Sequence, residues 1–218
     1  MKSLFKDARS LRQVYELSDA CLARLDIYAG LLTKWQKTIN LVAPSTLPEL
    51  WERHFLDSLQ VSEAVPQAKV WADLGSGGGF PGLVTAIRLA DVPGAKMHLI
   101  ESDQRKCAFL RTVSRENRGA RRSSMSARIE EALKVLPPLD AISARGLAPL
   151  PQLVALAEKP LENARAIWGF FCLKAGITSA TLPLPMVTGT FDILVDQDKR
   201  HSAGLGHSRD SIRCKSDL

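Results

Sequence analysis

The chain has 218 residues, 45% of them hydrophobic, enough for one folded domain with an appendage and unlike a disordered polymer. Its four cysteines (Cys21, Cys107, Cys172, Cys214) are far apart, with no C-x-x-C and no histidine at metal-ligand spacing, which excludes a disulfide scaffold and a metal site of familiar spacing. The formal net charge is +6; no apolar run approaches a membrane span and nothing resembles a signal peptide, so a cytoplasmic protein with free thiols is expected.

Ser18 is a natural N-cap, and Leu22, Leu25, Tyr28, Leu32, Trp35 and Ile39 recur at steps of three and four, predicting a first helix ended by Asn40 and Pro44. Thr46-Leu47-Pro48-Glu49 reads as a capping box with proline in the first turn. The helix it opens carries Trp51, Phe55, Ser58 and Leu59 on one face and closes at Pro66. Arg53 and Asp57 are spaced to pair along that helix. His54 points to a neighbouring face, as a buried contact or as a contact to nucleic acid. Trp35 and Trp51 lie in the apolar stripe and read as core. Residues 1–66 thus form a helical lobe without a strand, ahead of a domain over 67–200 and an irregular basic tail over 201–218.

From Val70 the pattern changes to strand–helix alternation, the mark of an α/β fold with a mostly parallel sheet. Strands are expected at 70–74, 96–100 and 139–143, with helices at 82–90, 104–117 and 149–158. A further strand should lie before Arg128, but the residues available, Arg121 to Ser126, are poor strand formers. Phe191 to Val195 reads as a strand again. Between residues 105 and 128 stand Arg105, Lys106, Arg111, Arg115, Arg118, Arg121, Arg122 and Arg128 against Glu116 alone. That stretch reads equally well as a phosphate-tracking surface and as a solvated helix face.

The most informative stretch is Asp73-Leu74-Gly75-Ser76-Gly77-Gly78-Gly79-Phe80-Pro81-Gly82, placed between the apolar run Val70–Ala72 and a helical segment. Five glycines in eight residues let backbone approach a ligand closely. A dinucleotide loop would carry a third glycine where Phe80 stands, and its helix would face a pyrophosphate. Asp73, two residues before the first glycine, suits a cation better. The loop therefore points to S-adenosylmethionine, whose sulfonium and amino groups are positive, over a nicotinamide cofactor. Glu101, ending the next apolar run, is placed to accept both ribose hydroxyls.

Five blocks occur in order: Lys34-Trp35-Gln36-Lys37-x-x-Asn40-Leu41, Arg53-His54-Phe55-Leu56-Asp57-Ser58-Leu59, the glycine loop, Arg128-Ile129-Glu130, and Asp140-x-x-Ser143-x-Arg145-Gly146-Leu147-Ala148. Together they closely resemble the RsmG (glucose-inhibited division protein B) family over residues 20 to about 165. The resemblance implies a class I, Rossmann-like methyltransferase with an N-terminal helical extension. It implies methyl transfer from S-adenosylmethionine to N7 of one guanine in 16S rRNA, by a monomer acting on the RNA or the small ribosomal subunit, with no metal. Carried over by position, Gly75 and Phe80 line the cofactor site, Gly77 and Gly79 allow close approach, Ile129 and Glu130 hold the adenine, and Arg145 is the catalytic residue at the cofactor and guanine pocket. The alternative is a non-catalytic RNA-binding or ribosome-assembly protein that kept the fold while its C-terminal part decayed.

Two segments depart from the family pattern: the polar Arg121–Ser126 and the Pro-rich text after Lys174-Ala175-Gly176. Local reading-frame shifts would account for both, and the gene's nucleotide sequence tests that idea. A poorly paired edge strand would lower stability relative to the family.

Overall fold

A computed structural model of the chain describes residues 4–117, 122–147, 169–173 and 192–195. The Ser18 hydroxyl accepts the Cys21 N–H at 3.1 Å and opens helix α1, Asp19–Trp35. Leu22, Leu25, Tyr28 and Leu32 are its buried stripe. The turn after it is closed by Gln36, not Asn40: Gln36 Oε1 accepts from the Leu41 and Val42 N–H groups while its Nε2 donates to the Val42 carbonyl.

The single helix expected after Thr46 is instead three helical forms in succession. A 3-10 helix covers Pro44–Glu49, a π-helix covers Trp51–Leu56, and α2 runs Asp57–Ala64. Thr46 makes no capping box. It lies inside the 3-10 helix, and its hydroxyl bonds the Ala43 carbonyl and His54. The wider π turn lets three consecutive residues, His54, Phe55 and Leu56, face the interior.

Six parallel strands follow: β1 Val70–Leu74, β2 Lys96–Glu101, β3 Arg122–Ser126, β4 Ala141–Arg145, β5 Gly169–Leu173 and β6 Asp192–Val195. They are ordered β3-β2-β1-β4-β5-β6. Helices α3 (Gly82–Arg88), α4 (Gln104–Glu116) and α5 (Ile129–Ala132) lie between them in the chain. β4 starts two residues later than its apolar text suggests. The cause is Asp140, whose carboxylate accepts from the Lys69 and Val70 N–H groups and whose own N–H donates to the Val70 carbonyl. This pins the entry of β4 to the entry of β1, and the register runs from Trp71 opposite Ala141 to Leu74 opposite Ala144.

Arg122–Ser126 does form a strand, paired from Met97–Arg122 to Glu101–Ser126. Among the described strands it lies at the edge of the sheet, so it needs a ladder on one side only, and main-chain bonding to β2 supplies it. The strand expected at Phe191–Val195 is β6. The expected helix over 149–158, Arg118, Arg121, Cys214 and the tail over 201–218 lie outside the described residues. Among the described residues Cys21 and Cys107 are free and buried, and no helix is long and apolar enough to cross a membrane.

Strand periodicity sorts β1 between the two sheet faces. Trp71 joins a large core with Leu11, Leu25, Tyr28, Phe55, Leu59, Ile87 and Phe109, so the helical segment and the sheet share one interior. Ala72 and Leu74 join a smaller cluster with Ile100, Ala132, Leu139, Ile142 and Ala144. Because β2 lies on one side of β1 and β4 on the other, the strand order reverses at β1. The carboxyl ends of β1 and β4 therefore flank the crevice where open α/β sheets hold ligands.

Candidate functional site

The glycine loop leaves β1 at that crevice. Gly75, Gly77 and Gly79 have φ of 65°, 55° and 94°, the left-handed region that side chains disfavour. Inside the loop the Ser76 N–H donates to the Ile100 carbonyl at 2.9 Å and the Gly79 N–H to the Ser76 carbonyl at 2.6 Å. The glycines face different things. A Cβ on Gly77 would meet nothing nearer than 3.7 Å, so this residue has an open face. A Cβ on Gly75 would lie 2.7 Å from the Leu147 side chain, which the turn after β4 lays over it. A Cβ on Gly79 would collide with Leu83 and lie 2.7 Å from the Tyr28 hydroxyl, so Gly79 serves internal packing.

Glu101 ends β2 beside the loop and is buried. Its Oε2 accepts the Gly77 N–H at 2.8 Å, and its Oε1 accepts the N–H groups of Ser102 and Asp103 at 2.8 and 2.9 Å. A carboxylate has room for about four acceptor contacts. Glu101 thus keeps capacity for one further hydroxyl with all three bonds intact; taking two ribose hydroxyls requires releasing one of them.

Asp73 is placed differently from the expectation that its charge lies beside a ligand. It is 1% exposed, with Oδ1 accepting from the Ser143 hydroxyl at 2.6 Å and Oδ2 packed where a Cβ on Gly82 would be 2.5 Å away. Two residues from Trp71, it shares the helix-covered face of β1. Burial pushes its pKa up to about 6 against the opposing Ser143 hydrogen bond. Asp73 acts from behind the loop, tying β4 to β1.

Arg145 leaves β4 on the far side of the crevice mouth. Its guanidinium lies 5.0 Å over the Phe80 ring and reaches His54 Nδ1 at 2.7 Å. His54 Nε2 lies 2.7 Å from the Thr46 hydroxyl, which donates to the Ala43 carbonyl at 2.7 Å. One tautomer satisfies the whole chain: Nδ1 accepts from Arg145 and Nε2–H donates to Thr46. Burial, then the Arg145 and Arg53 charges, push the His54 pKa down to about 3, so the ring is neutral. Of the two readings of His54, the buried contact is the one seen. Burial of Arg145 likewise lowers its pKa, with Tyr28, Asp57 and Asp73 opposing.

Arg53 and Asp57 do not form the expected pair. Arg53 reaches back to Glu49 at 3.3 Å, because the π turn changes the spacing that a regular helix would give. Asp57 is left half-buried, and burial raises its pKa to about 7 against the charges of Arg145 and Arg53.

Phe80, 3% exposed, lies inside an aromatic group. Tyr28 stacks on it at 5.1 Å, Phe55 meets it edge-on at 5.3 Å, and His54 lies 5.0 Å away. Trp51 stacks on Phe55 at 4.3 Å and Trp35 lies 5.7 Å from Phe109, so both are core-packing residues. At the start of α5, Ile129 packs partly against the smaller cluster while Glu130 is exposed. Tyr28, Gln36, Thr46 and Ser143 have roles that sequence reasoning did not assign: Tyr28 read only as stripe, Thr46 only as a cap, and Gln36 and Ser143 only as members of their blocks. Each acts through a hydrogen bond that periodicity does not reveal. No cluster of metal ligands occurs among the described residues.

The model of the family described as rRNA small subunit methyltransferase G matches residues 21–177. A Sinorhizobium fredii protein named ribosomal RNA small subunit methyltransferase G is 54% identical over 138 residues, 63% of this chain and 64% of that protein. One of the same name from Parvibaculum lavamentivorans is 51% identical over 172 residues, 78% of this chain and 75% of that protein. The match thus spans slightly less than two thirds of the Sinorhizobium relative and three quarters of the Parvibaculum one. Among solved structures, the S-adenosylhomocysteine-bound Podospora anserina methyltransferase PaMTH1 aligns at a TM-score of 0.48 and 14% identity, over 70% of this chain and 62% of that one.

Proposed function

Since this chain belongs to the rRNA small subunit methyltransferase G family, we propose that it moves a methyl group from S-adenosylmethionine to N7 of one guanine in 16S rRNA. The observation that carries this reading is the open face of Gly77 beside the Glu101 carboxylate, at the reversal point of a parallel sheet. Such a place suits a ligand with ribose hydroxyls and no phosphate to neutralise. The residues fit the cofactor: backbone at Gly77 takes close approach, Gly75 makes the turn under Leu147, Glu101 accepts from ribose, and Ile129 and Glu130 offer an apolar edge and an acceptor for adenine. Phe80 and Gly79 support the loop from within, and Asp73 supports it from behind.

When bound, the cofactor supplies an electrophilic methyl on positive sulfur. Guanine N7 already carries a lone pair, so the chain needs no general base. Neutral His54, with both ring nitrogens engaged, is suited to none. What the chain contributes is alignment. Arg145, braced by Phe80 and His54, presents its remaining N–H groups to guanine O6 or to a flanking phosphate. The substrate is the naked RNA or the small subunit, taken by a monomer.

The test is transfer of labelled methyl from S-adenosylmethionine to naked 16S rRNA and to small subunits, followed by borohydride–aniline scission, which cuts at N7-methylguanine. One labelled, cleavable guanine is expected. Binding of RNA without transfer to either substrate would favour the assembly-protein reading instead.

A further inference from the structure

We infer that Tyr28, on the first helix and outside the sheet, is a positioning residue for the cofactor loop; the inference rests on the cofactor reading above. Tyr28 is fully buried, and its hydroxyl donates to the Gly78 carbonyl at 2.5 Å. Its ring is held by Phe80 at 5.1 Å, Phe55 at 5.1 Å and Phe109 at 6.2 Å, so the hydroxyl has one direction in which to point. Gly79 lacks the Cβ that would fall 2.7 Å from that oxygen. Gly78 is also packed against the Leu41 carbonyl, which would stand 2.7 Å from a Cβ there.

The loop is therefore gripped at two adjacent residues from opposite sides. Glu101 takes the Gly77 N–H on the crevice side, and Tyr28 holds the Gly78 carbonyl on the interior side. A glycine-rich segment has wide conformational freedom, and ordering it on binding would subtract from affinity. Tyr28 removes that freedom beforehand. It touches neither the crevice nor the guanine pocket, so its effect falls on cofactor affinity and not on the methyl-transfer step.

The experiment is calorimetric titration of the full chain with S-adenosylhomocysteine, alongside methyl-transfer kinetics, for wild type, Tyr28→Phe and Val113→Ala. Val113→Ala loosens the same core without touching the rings that hold Tyr28. Tyr28→Phe is expected to raise Kd about tenfold, the order of the one hydrogen bond that holds the loop ready. Its kcat at saturating cofactor and its KM for RNA should stay within about twofold of wild type, and Val113→Ala should lower Tm with Kd unchanged. Equal Kd in wild type and Tyr28→Phe, or equal weakening in both variants, overturns the inference while leaving the cofactor reading in place. A wild-type chain that does not bind S-adenosylhomocysteine overturns both.

Discussion

The glycine loop has two unlike flanks. On the interior side it meets Tyr28, Phe55, Phe80 and His54, a closed aromatic wall supplied mostly by the helical segment. On the crevice side it meets the Glu101 carboxylate, and Gly77 keeps an open face there. The first flank is apolar and packed, the second polar and partly open. The difference separates two tasks that a cofactor loop must combine: being held in one shape, and presenting polar groups to something else. Damage to the packed rings of the closed flank should therefore appear as lost stability and damage to the open one as lost binding; the Tyr28 hydroxyl, which bonds the loop backbone itself, is the one closed-flank group expected to act on binding.

The largest effect is expected from Phe80→Ala. Removing a buried ring from the centre of the wall should cost about 3–5 kcal/mol, read as a drop in the urea midpoint. A loss below about 1 kcal/mol would mean that the wall is not a packed unit. Next comes a matched pair within the loop. Gly79→Ala combines positive φ with a collision against Leu83 and should cost about 1–3 kcal/mol. Gly77→Ala also has positive φ but open space around its Cβ, so its stability loss should be smaller and its loss of S-adenosylhomocysteine affinity larger. If both variants lose stability and affinity in the same proportion, the two flanks do not divide the work.

Much of this arrangement is legible in the text of the chain. The run Val70–Ala72, the glycines after it and the cap at Ser18 all act locally, through propensity and spacing, and the structure has them where they were expected. What escapes is set by distant partners. Asp73 reads as a ligand group because an acid beside glycines is usually exposed, yet its spacing of two from Trp71 already assigns it to the covered face. The Arg53–Asp57 pair fails because a π turn is invisible to a 3.6-residue period. Tyr28 looks like one more apolar stripe residue; its hydroxyl finds a partner fifty positions on. Arg122–Ser126 forms a strand against its propensities, since the neighbouring Met97–Glu101 backbone offers the ladder.

On the open flank, Glu101→Gln tests charge against shape. Glutamine keeps one acceptor oxygen but replaces the other with an amide NH2 group, which donates and cannot accept from backbone N–H groups. The expected result is S-adenosylhomocysteine affinity weakened about tenfold or more, with stability lowered by about 1–2 kcal/mol through the unpaired N–H groups. Unchanged affinity would remove Glu101 from the site.

The last expected effect is a slope against pH, and it separates the titrating groups that crowd Arg145 on the closed flank. Burial raises Asp57 to about 7 and Asp73 to about 6, while it lowers His54 to about 3. Between roughly pH 4 and pH 7 the folded chain keeps a proton on Asp57 that the unfolded chain has released, so this group's stabilisation is full at low pH and is lost as pH rises through about 7. Asp73 acts in the same direction up to about pH 6. His54 acts oppositely, because below about pH 6.5 the unfolded chain takes up a proton that the buried ring refuses. Asp57→Asn removes one of the two carboxylate slopes and leaves His54 opposed by Asp73 alone. Urea midpoints of variant and wild type should therefore diverge in the variant's favour as pH rises from about 4 to 7 and then run parallel. A gap that stays constant across that range would place the Asp57 carboxyl in water, and the wall beside Arg145 would then be open where the packing says it is closed.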